Sequence, residues 1–192
     1  DEMSYEDGTF IEPLACVARA QRLAGLKPGQ SVLVLGSGIS GLLHILLARA
    51  LGAGKIMATD INDYRLKTAR RLGAQDNDNR PVDLAIVCTG ALPAFTQALK
   101  SVDRGGTVLF FACTEPGVAL PLPVNDIWRN GIKLLPSYGA GPYDLTVALE
   151  LIRAGRVPVK DLITHRLSLA EIAQGFKLVA EAKESLKVII NP

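Results

Sequence analysis

The sequence predicts an α/β protein built on a doubly wound parallel sheet, and three observations carry that expectation. Short continuous apolar runs rich in β-branched residues recur along the chain, as strands buried on both faces require. Stretches of helical periodicity separate them. The first such run ends in a glycine-rich loop, Gly36-Ser37-Gly38-Ile39-Ser40-Gly41, that leads straight into a helical pattern. Alternation of this kind yields strand-helix-strand units with right-handed crossovers and a ligand at the carboxyl ends of the strands.

Glu12-Pro13-Leu14 opens the first helical stretch, since proline suits a first turn, and Leu14, Val17, Ala18 and Leu23 follow near helical spacing until Gly25. Ser31 to Leu35 is a fully apolar strand after a Lys27-Pro28-Gly29 turn, and Leu42 to Leu51, apolar on nearly every side, is a helix between layers. Lys55 to Asp60 is the next strand, and Tyr64 to Leu72 an amphipathic helix exposing Arg65, Lys67, Arg70 and Arg71. Gln75 to Arg80 reads as a polar turn before the strand Leu84 to Val87. Pro93 to Leu99 is a helix, Thr107 to Phe111 and Gly131 to Leu135 are strands, Leu145 to Ala154 and Leu169 to Ala182 are helices, and Leu186 to Ile190 is a terminal strand. Between Ala74 and Val82 only seven residues are available, too few for another strand and its crossover helix. Either an edge strand near residues 75–81 is absent, or residues of that segment have been lost.

Composition narrows the function. Of 192 residues 48% are hydrophobic, enough for one sizeable core. The net charge is only +2, which excludes an extended basic surface for nucleic acid or anionic lipid and points to a small ligand. Cys16, Cys88 and Cys113 are odd in number and lack CxxC spacing, which argues against a disulfide framework and against a self-contained structural zinc site. A reducing cytoplasm fits. Apolar runs such as Gly41 to Ala48 break within about ten residues, short of the roughly twenty that span a bilayer. No signal peptide opens the chain. It begins at Asp1 without an initiator methionine and reads as part of a longer protein.

In the glycine loop each glycine has a task. Gly36 permits the tight turn, Gly38 lets a pyrophosphate approach the backbone, and Gly41 allows close helix-strand contact, while the helix N-terminus offers free N–H groups to phosphate. Asp60 follows the next strand, 19 residues after Gly41, where a carboxylate accepts hydrogen bonds from an adenosine ribose. It would repel a 2'-phosphate, and Ile61 follows it rather than an arginine, so NAD is expected; Arg65, a turn later, softens that preference. The bland alternative is an ordinary strand-to-helix turn and a solvated strand end. The fold class is thus a Rossmann-type doubly wound sheet.

With these residues in place the chain resembles the medium-chain dehydrogenase/reductase superfamily, in its zinc-dependent alcohol, polyol, sorbitol and threonine dehydrogenase branch. The likeness covers almost the whole chain. It rests on Phe10-Ile11-Glu12-Pro13-Leu14, Lys27-Pro28-Gly29, the glycine loop with Asp60, Arg65-Leu66 through Leu72-Gly73-Ala74, Thr89-Gly90, Gly105-Gly106-Thr107-Val108, Leu162-Ile163-Thr164-His165-Arg166 and Lys187-Val188-Ile189. The resemblance implies that Glu12 stands where the family brings a third residue to its catalytic zinc, a glutamate in polyol and threonine enzymes; the alternative is a carboxylate that only favours a helix N-terminus. It implies that Thr89-Gly90, Ala112-Cys113 and Ser137-Tyr138 line the cofactor cleft near the nicotinamide. Lys187 matches a basic residue that reaches the pyrophosphate, or is an outward lysine on an edge strand.

His44, among Leu43, Ile45 and Leu47, reads as a packed histidine; His165 reads as part of a structural strand, and Cys16 and Cys88 as inert core. The family's other zinc ligands and its proton relay belong to a domain of which this sequence shows no trace. The organisation implied is a connecting segment and helix over 1–24 bordering that domain, an NAD-binding Rossmann domain over 25–140, and helices and a strand over 141–192 packing back on the core. The expected function is the cofactor-binding portion of an NAD-dependent, zinc-type oxidoreductase acting on a secondary alcohol, polyol or sugar-like substrate, inactive as this stretch alone. Alternatives are a zinc-independent, NADPH-using quinone or enoyl reductase and a non-catalytic nucleotide-binding module. A homodimer or homotetramer is expected, because Gly131 to Tyr138 reads as an open edge.

Overall fold

Four consecutive residues, Val32-Leu33-Val34-Leu35, are each at most 1% exposed and form the central strand β1 (Val32–Leu35). Alternation sends Val32 and Val34 into one apolar layer and Leu33 and Leu35 into another, so β1 has to be covered on both faces. The computed structural model describes residues 3–192; Asp1 and Glu2, part of the segment 1–24, lie outside the described residues.

Five further strands join β1 in one wholly parallel sheet: β2 (Ile56–Thr59), β3 (Gln75–Asp76), β4 (Val82–Val87), β5 (Val102–Phe110) and β6 (Lys133–Pro136). Their order is β3-β2-β1-β4-β5-β6, the doubly wound arrangement expected, with the reversal between β1 and β4. After a one-turn helix α1 (Tyr5–Gly8), α2 (Ile11–Ala24), α3 (Ile39–Ala50) and α4 (Asp63–Arg71) cover one face together with α7 (Pro142–Arg153), burying Phe10, Leu14, Leu43, Ile45, Ala69 and Ala148. The other face is closed by α5 (Leu92–Ser101) through Phe95 and Ala98. The short α6 (Val124–Asn130) buries no residue.

The edge strand doubted near residues 75–81 is present as the two-residue β3, in register with Met57 and Ala58. What the sheet lacks is the crossover helix after it. Residues 77–81 instead return directly from the edge to the start of β4, three strands away in the sheet order, as an irregular link. Local bonds hold this link: Asn77 Oδ1 accepts from Asn79 N–H and Asp78 Oδ1 from Arg80 N–H, while Asp78 also pairs with Lys55 and Arg80. Asn79 takes φ 61°, in the left-handed region that asparagine tolerates.

The terminal strand is not part of the large sheet. β7 (Ile163–Ser168) and β8 (Lys187–Asn191) pair parallel as a separate ribbon, joined by α8 (Ile172–Glu181), which meets them through Gly175 against Ile190, Leu167 and Val188. Several boundaries also differ from the sequence reading. α3 starts at Ile39, inside the glycine motif, because Gly38 is its extended N-cap; α7 starts at Pro142 rather than Leu145; β5 starts at Val102 and carries a bulge before Thr107; and the first turn expected of α8 is a 3-10 turn over Leu169–Glu171. Among the described residues no helix is long and apolar enough to cross a membrane.

Candidate functional site

The loops after β1, β2, β4, β5 and β6 all leave the sheet at its carboxyl edge. Gly36 has φ +95°, so the tight turn out of β1 needs glycine. At Gly41 a Cβ would stand 1.9 Å from the Gly36 carbonyl oxygen, so α3 can lie this close to the turn only without a side chain. Gly38 is different. Its backbone is extended (φ −68°, ψ −171°), which any residue adopts, and a Cβ there would meet only the Arg65 guanidinium, at 3.7 Å. Among the described residues only Arg65 would meet a Cβ at 38, so the space above it forms an otherwise open cradle. Ser37, Ile39 and Ser40 complete the loop, and no side chain caps the N-terminus of α3, leaving its first N–H groups free for an anion.

Asp60 sits against this loop. Its Oδ2 accepts the Ser37 N–H at 2.6 Å and its Oδ1 accepts the Asn62 N–H at 2.8 Å. Arg65, from the first turn of α4, lies on the same loop with its Nε buried and without a partner. A carboxylate and a guanidinium therefore flank the cradle.

The remaining cleft residues form a continuous wall. A Cβ at Gly36 would lie 3.2 Å from the Cys88 carbonyl oxygen and 3.3 Å from Thr89 Cβ, and one at Gly90 would lie 2.7 Å from the Cys113 carbonyl oxygen. The glycine loop, Thr89-Gly90 and Ala112-Cys113 are thus brought side by side. Ser137 follows β6; its N–H donates to the Phe110 carbonyl at 3.1 Å and its buried Oγ has no partner. The Tyr138 ring stands almost wholly in solvent.

Glu12 and Lys187 form a second group. Glu12 lies exposed in the first turn of α2 and makes no capping bond; instead Cys16 Sγ, one turn on, donates to its Oε1 at 3.1 Å. Burial, reinforced by Glu12, pushes the Cys16 thiol up to about 11, so it stays a thiol at neutral pH. Lys187 opens β8, and its ammonium donates to the Thr9 carbonyl at 3.2 Å and stands over the Phe10 ring. Burial lowers its pKa against the pull of Glu12. The ammonium is therefore engaged beside Glu12. Among the described residues no three His, Cys, Asp or Glu side chains gather into a group that could hold a metal ion.

His44 is fully buried, with Gln21 Nε2 3.1 Å from its Nδ1 and its ring edge-on to Phe111 at 4.6 Å. Burial pushes its pKa down to about 3, so it is a neutral packed residue. Burial likewise raises the Cys88 thiol out of reach of ionisation, and His165 lies in β7. Sequence reasoning passed over Asn62 and Asp144. The signal for Asn62 was local, an asparagine between a strand end and an amphipathic helix, where N-caps are found.

Sheet order, glycine turn and a carboxylate after β2 together define a Rossmann-type α/β domain. Residues 40–154 match the model of the family described as zinc-binding dehydrogenase, and the chain belongs to that family. It is 33% identical over 211 positions to a protein of Aspergillus terreus named "Probable D-xylulose reductase A", covering 100% of this chain and 59% of that one. It is 32% identical to a sorbitol dehydrogenase of Bacillus subtilis, with the same coverage. Among solved structures it matches a zinc-binding dehydrogenase of Sinorhizobium meliloti 1021 bound to NADP, with a TM-score of 0.88, 27% identity and coverage of 97% and 59%. The chain thus spans about 59% of the length of the relatives it matches. The match over 211 positions, against 192 residues here, also means that the Aspergillus protein carries residues within the matched stretch that this chain lacks, in keeping with the missing crossover helix.

Proposed function

We propose that this chain holds NAD across the carboxyl edge of the sheet, as the cofactor-binding portion of an oxidoreductase that oxidises a secondary alcohol, polyol or sugar-like substrate by hydride transfer. The observation that carries this is Gly38, a glycine that the chain's own backbone and packing do not require, set at the uncapped N-terminus of α3 beside Asp60. The pyrophosphate fits over Gly38, and Arg65 offers its unpartnered Nε nearby. The adenosine ribose hydroxyls fit Asp60, whose carboxylate is oriented by two backbone N–H groups. Thr89, Gly90, Ala112, Cys113 and Ser137 would then border the nicotinamide.

Polyol substrates follow from the relatives' names together with Glu12. Zinc, when bound in a complete site, supplies a Lewis acid for the substrate oxygen, and Glu12 is the residue of this chain placed to serve it. Lys187 holds the Glu12 region through Thr9 and Phe10 rather than touching the loop. The free cysteines suit a reducing compartment, and we place the protein in the cytoplasm. The exposed edge of β6 and neighbouring apolar side chains support a homodimer or homotetramer.

A second reading, NADP, is favoured by the S. meliloti neighbour and by Arg65. The two separate in a fluorescence titration with NADH and NADPH, repeated with Asp60→Ser. Tighter NADH binding in the wild type, with Asp60→Ser shifting the NADPH-to-NADH affinity ratio by about tenfold or more, about 1.4 kcal/mol, is the expected result. NADPH binding tighter in the wild type establishes the second reading, and no binding of either removes both.

A further inference from the structure

We infer that Asn62 is a positioning residue that locks the ribose-binding end of the proposed cofactor site to the C-terminal unit of β7, α8 and β8. The inference rests on the proposed NAD reading. It starts from the bonds of one side chain. Asn62 Oδ1 accepts the N–H groups of Tyr64 (2.9 Å) and Arg65 (3.3 Å), and Nδ2 donates to the carbonyls of Ala182 (3.0 Å) and Lys183 (2.8 Å). A primary amide has two acceptor and two donor positions, and here all four are used. Its backbone N–H supplies a fifth bond, to Asp60 Oδ1.

The arrangement joins two helix ends with one amide. Oδ1 meets the free N–H groups at the start of α4, and Nδ2 meets carbonyls where α8 has ended, its C-cap Ala182 being held at φ +51°. Orphan donors of one helix and carbonyls beyond the other thereby satisfy a single side chain from opposite sides. Each contact has the polarity that a helix terminus favours. No other hydrogen bond among the described residues ties the stretch 60–65 to the α8–β8 connection.

A continuous path results: the Ser37 N–H of the glycine loop, the Asp60 carboxylate, the Asn62 backbone and amide, and the carbonyls of Ala182 and Lys183. Because Asp60 is proposed to receive the ribose hydroxyls, ordering by cofactor at one end has to be felt at the other. Linkage makes that reciprocal: whatever bound cofactor does for the C-terminal unit, the unit does for cofactor affinity.

The test separates the bridge from the helix cap. Asn62→Ser keeps an N-cap oxygen for α4 but has no group long enough to reach residues 182 and 183; Asn62→Ala removes both. Thermal melting establishes that the variants fold. NADH affinity is then measured by fluorescence, and amide hydrogen exchange is followed over 182–186 with and without NADH. In the wild type NADH slows exchange in 182–186. In Asn62→Ser that protection disappears and NADH binds about five- to tenfold more weakly, the lower part of the coupling typical of linked sites. If the wild type binds NADH and Asn62→Ser binds it equally well, or if protection of 182–186 survives the substitution, the coupling is wrong and the function stands. If the wild type binds no dinucleotide, the function fails and this inference with it.

Discussion

Gly38 and Gly41 lie three residues apart in one motif, yet they hold glycine for opposite reasons, and the difference is measurable. A Cβ at 41 would collide with the Gly36 backbone carbonyl at 1.9 Å, which cannot swing aside as a flexible side chain would, so Gly41→Ala forces α3 away from β1. We expect a loss of about 1–3 kcal/mol, the range of overpacking in a well-packed core, visible as a lower unfolding midpoint in urea. Gly38→Ala meets nothing closer than 3.7 Å and keeps an allowed backbone, so its stability should stay within about 0.5 kcal/mol of wild type while NADH affinity falls at least tenfold. Equal NADH affinity in Gly38→Ala would remove the pyrophosphate from this loop. At this scale the sequence was informative where chemistry is local. The loop and Asp60 are legible because glycine spacing and the acid at the next strand end are set within one strand-helix-strand unit. Of Asn62 only the helix cap was legible; the carbonyls it meets lie about 120 residues further on, and no local pattern records them.

Helix α7 shows how an element is fixed by a buried charge. Asp144 is 2% exposed; its Oδ2 accepts the Gly141 N–H at 3.0 Å, and its Oδ1 accepts Nε and an Nη of Arg22 in α2. Tyr143 lies against that guanidinium. Burial acts to raise the Asp144 pKa, but the Arg22 and Gly141 bonds outweigh it and leave it lowered. A carboxylate with a depressed folded pKa contributes stability above its unfolded value, near 4, and loses it as the pH falls through the folded one. Asp144→Ala should therefore cost about 2 kcal/mol at pH 7 through its lost charge-assisted bonds, and the difference in melting temperature from wild type should close as the pH drops below about 4. A gap that persists in acid would assign the loss to packing. Elements in general were legible in proportion to their length and burial. β1 and α3 announce themselves by unbroken apolar sequence, whereas β3 is only two polar residues and α6 is a seven-residue helix with none buried; both are too short for a pattern to stand out. The pairing of β7 with β8 was hidden because both strands are only partly buried and meet across an intervening helix.

The whole sheet ends in two unlike edges. β3 is two residues long and flanked by charged side chains, which blunts it against pairing. β6 presents four residues with a free side, and α6 just before it leaves Trp128 78% and Val124 68% exposed, one helical turn apart. In the proposed homodimer this open strand would pair with its own copy across a two-fold axis and the indole would be removed from water. Buried tryptophans are prominent among residues that dominate interface energies, commonly at about 2 kcal/mol or more. Light scattering of the wild type at rising concentration should therefore show a dimer, and Trp128→Glu should dissociate at a concentration at least tenfold higher while its thermal unfolding stays near wild type, since the residue is 78% exposed. NADH binding to the dissociated form should persist, because the glycine loop and Asp60 follow β1 and β2, which are separated from β6 in the sheet by two and three intervening strands. A wild type that remains monomeric throughout would leave β6 and Trp128 facing something other than a second copy, and a Trp128→Glu dimer as tight as wild type would move the contact off this edge altogether.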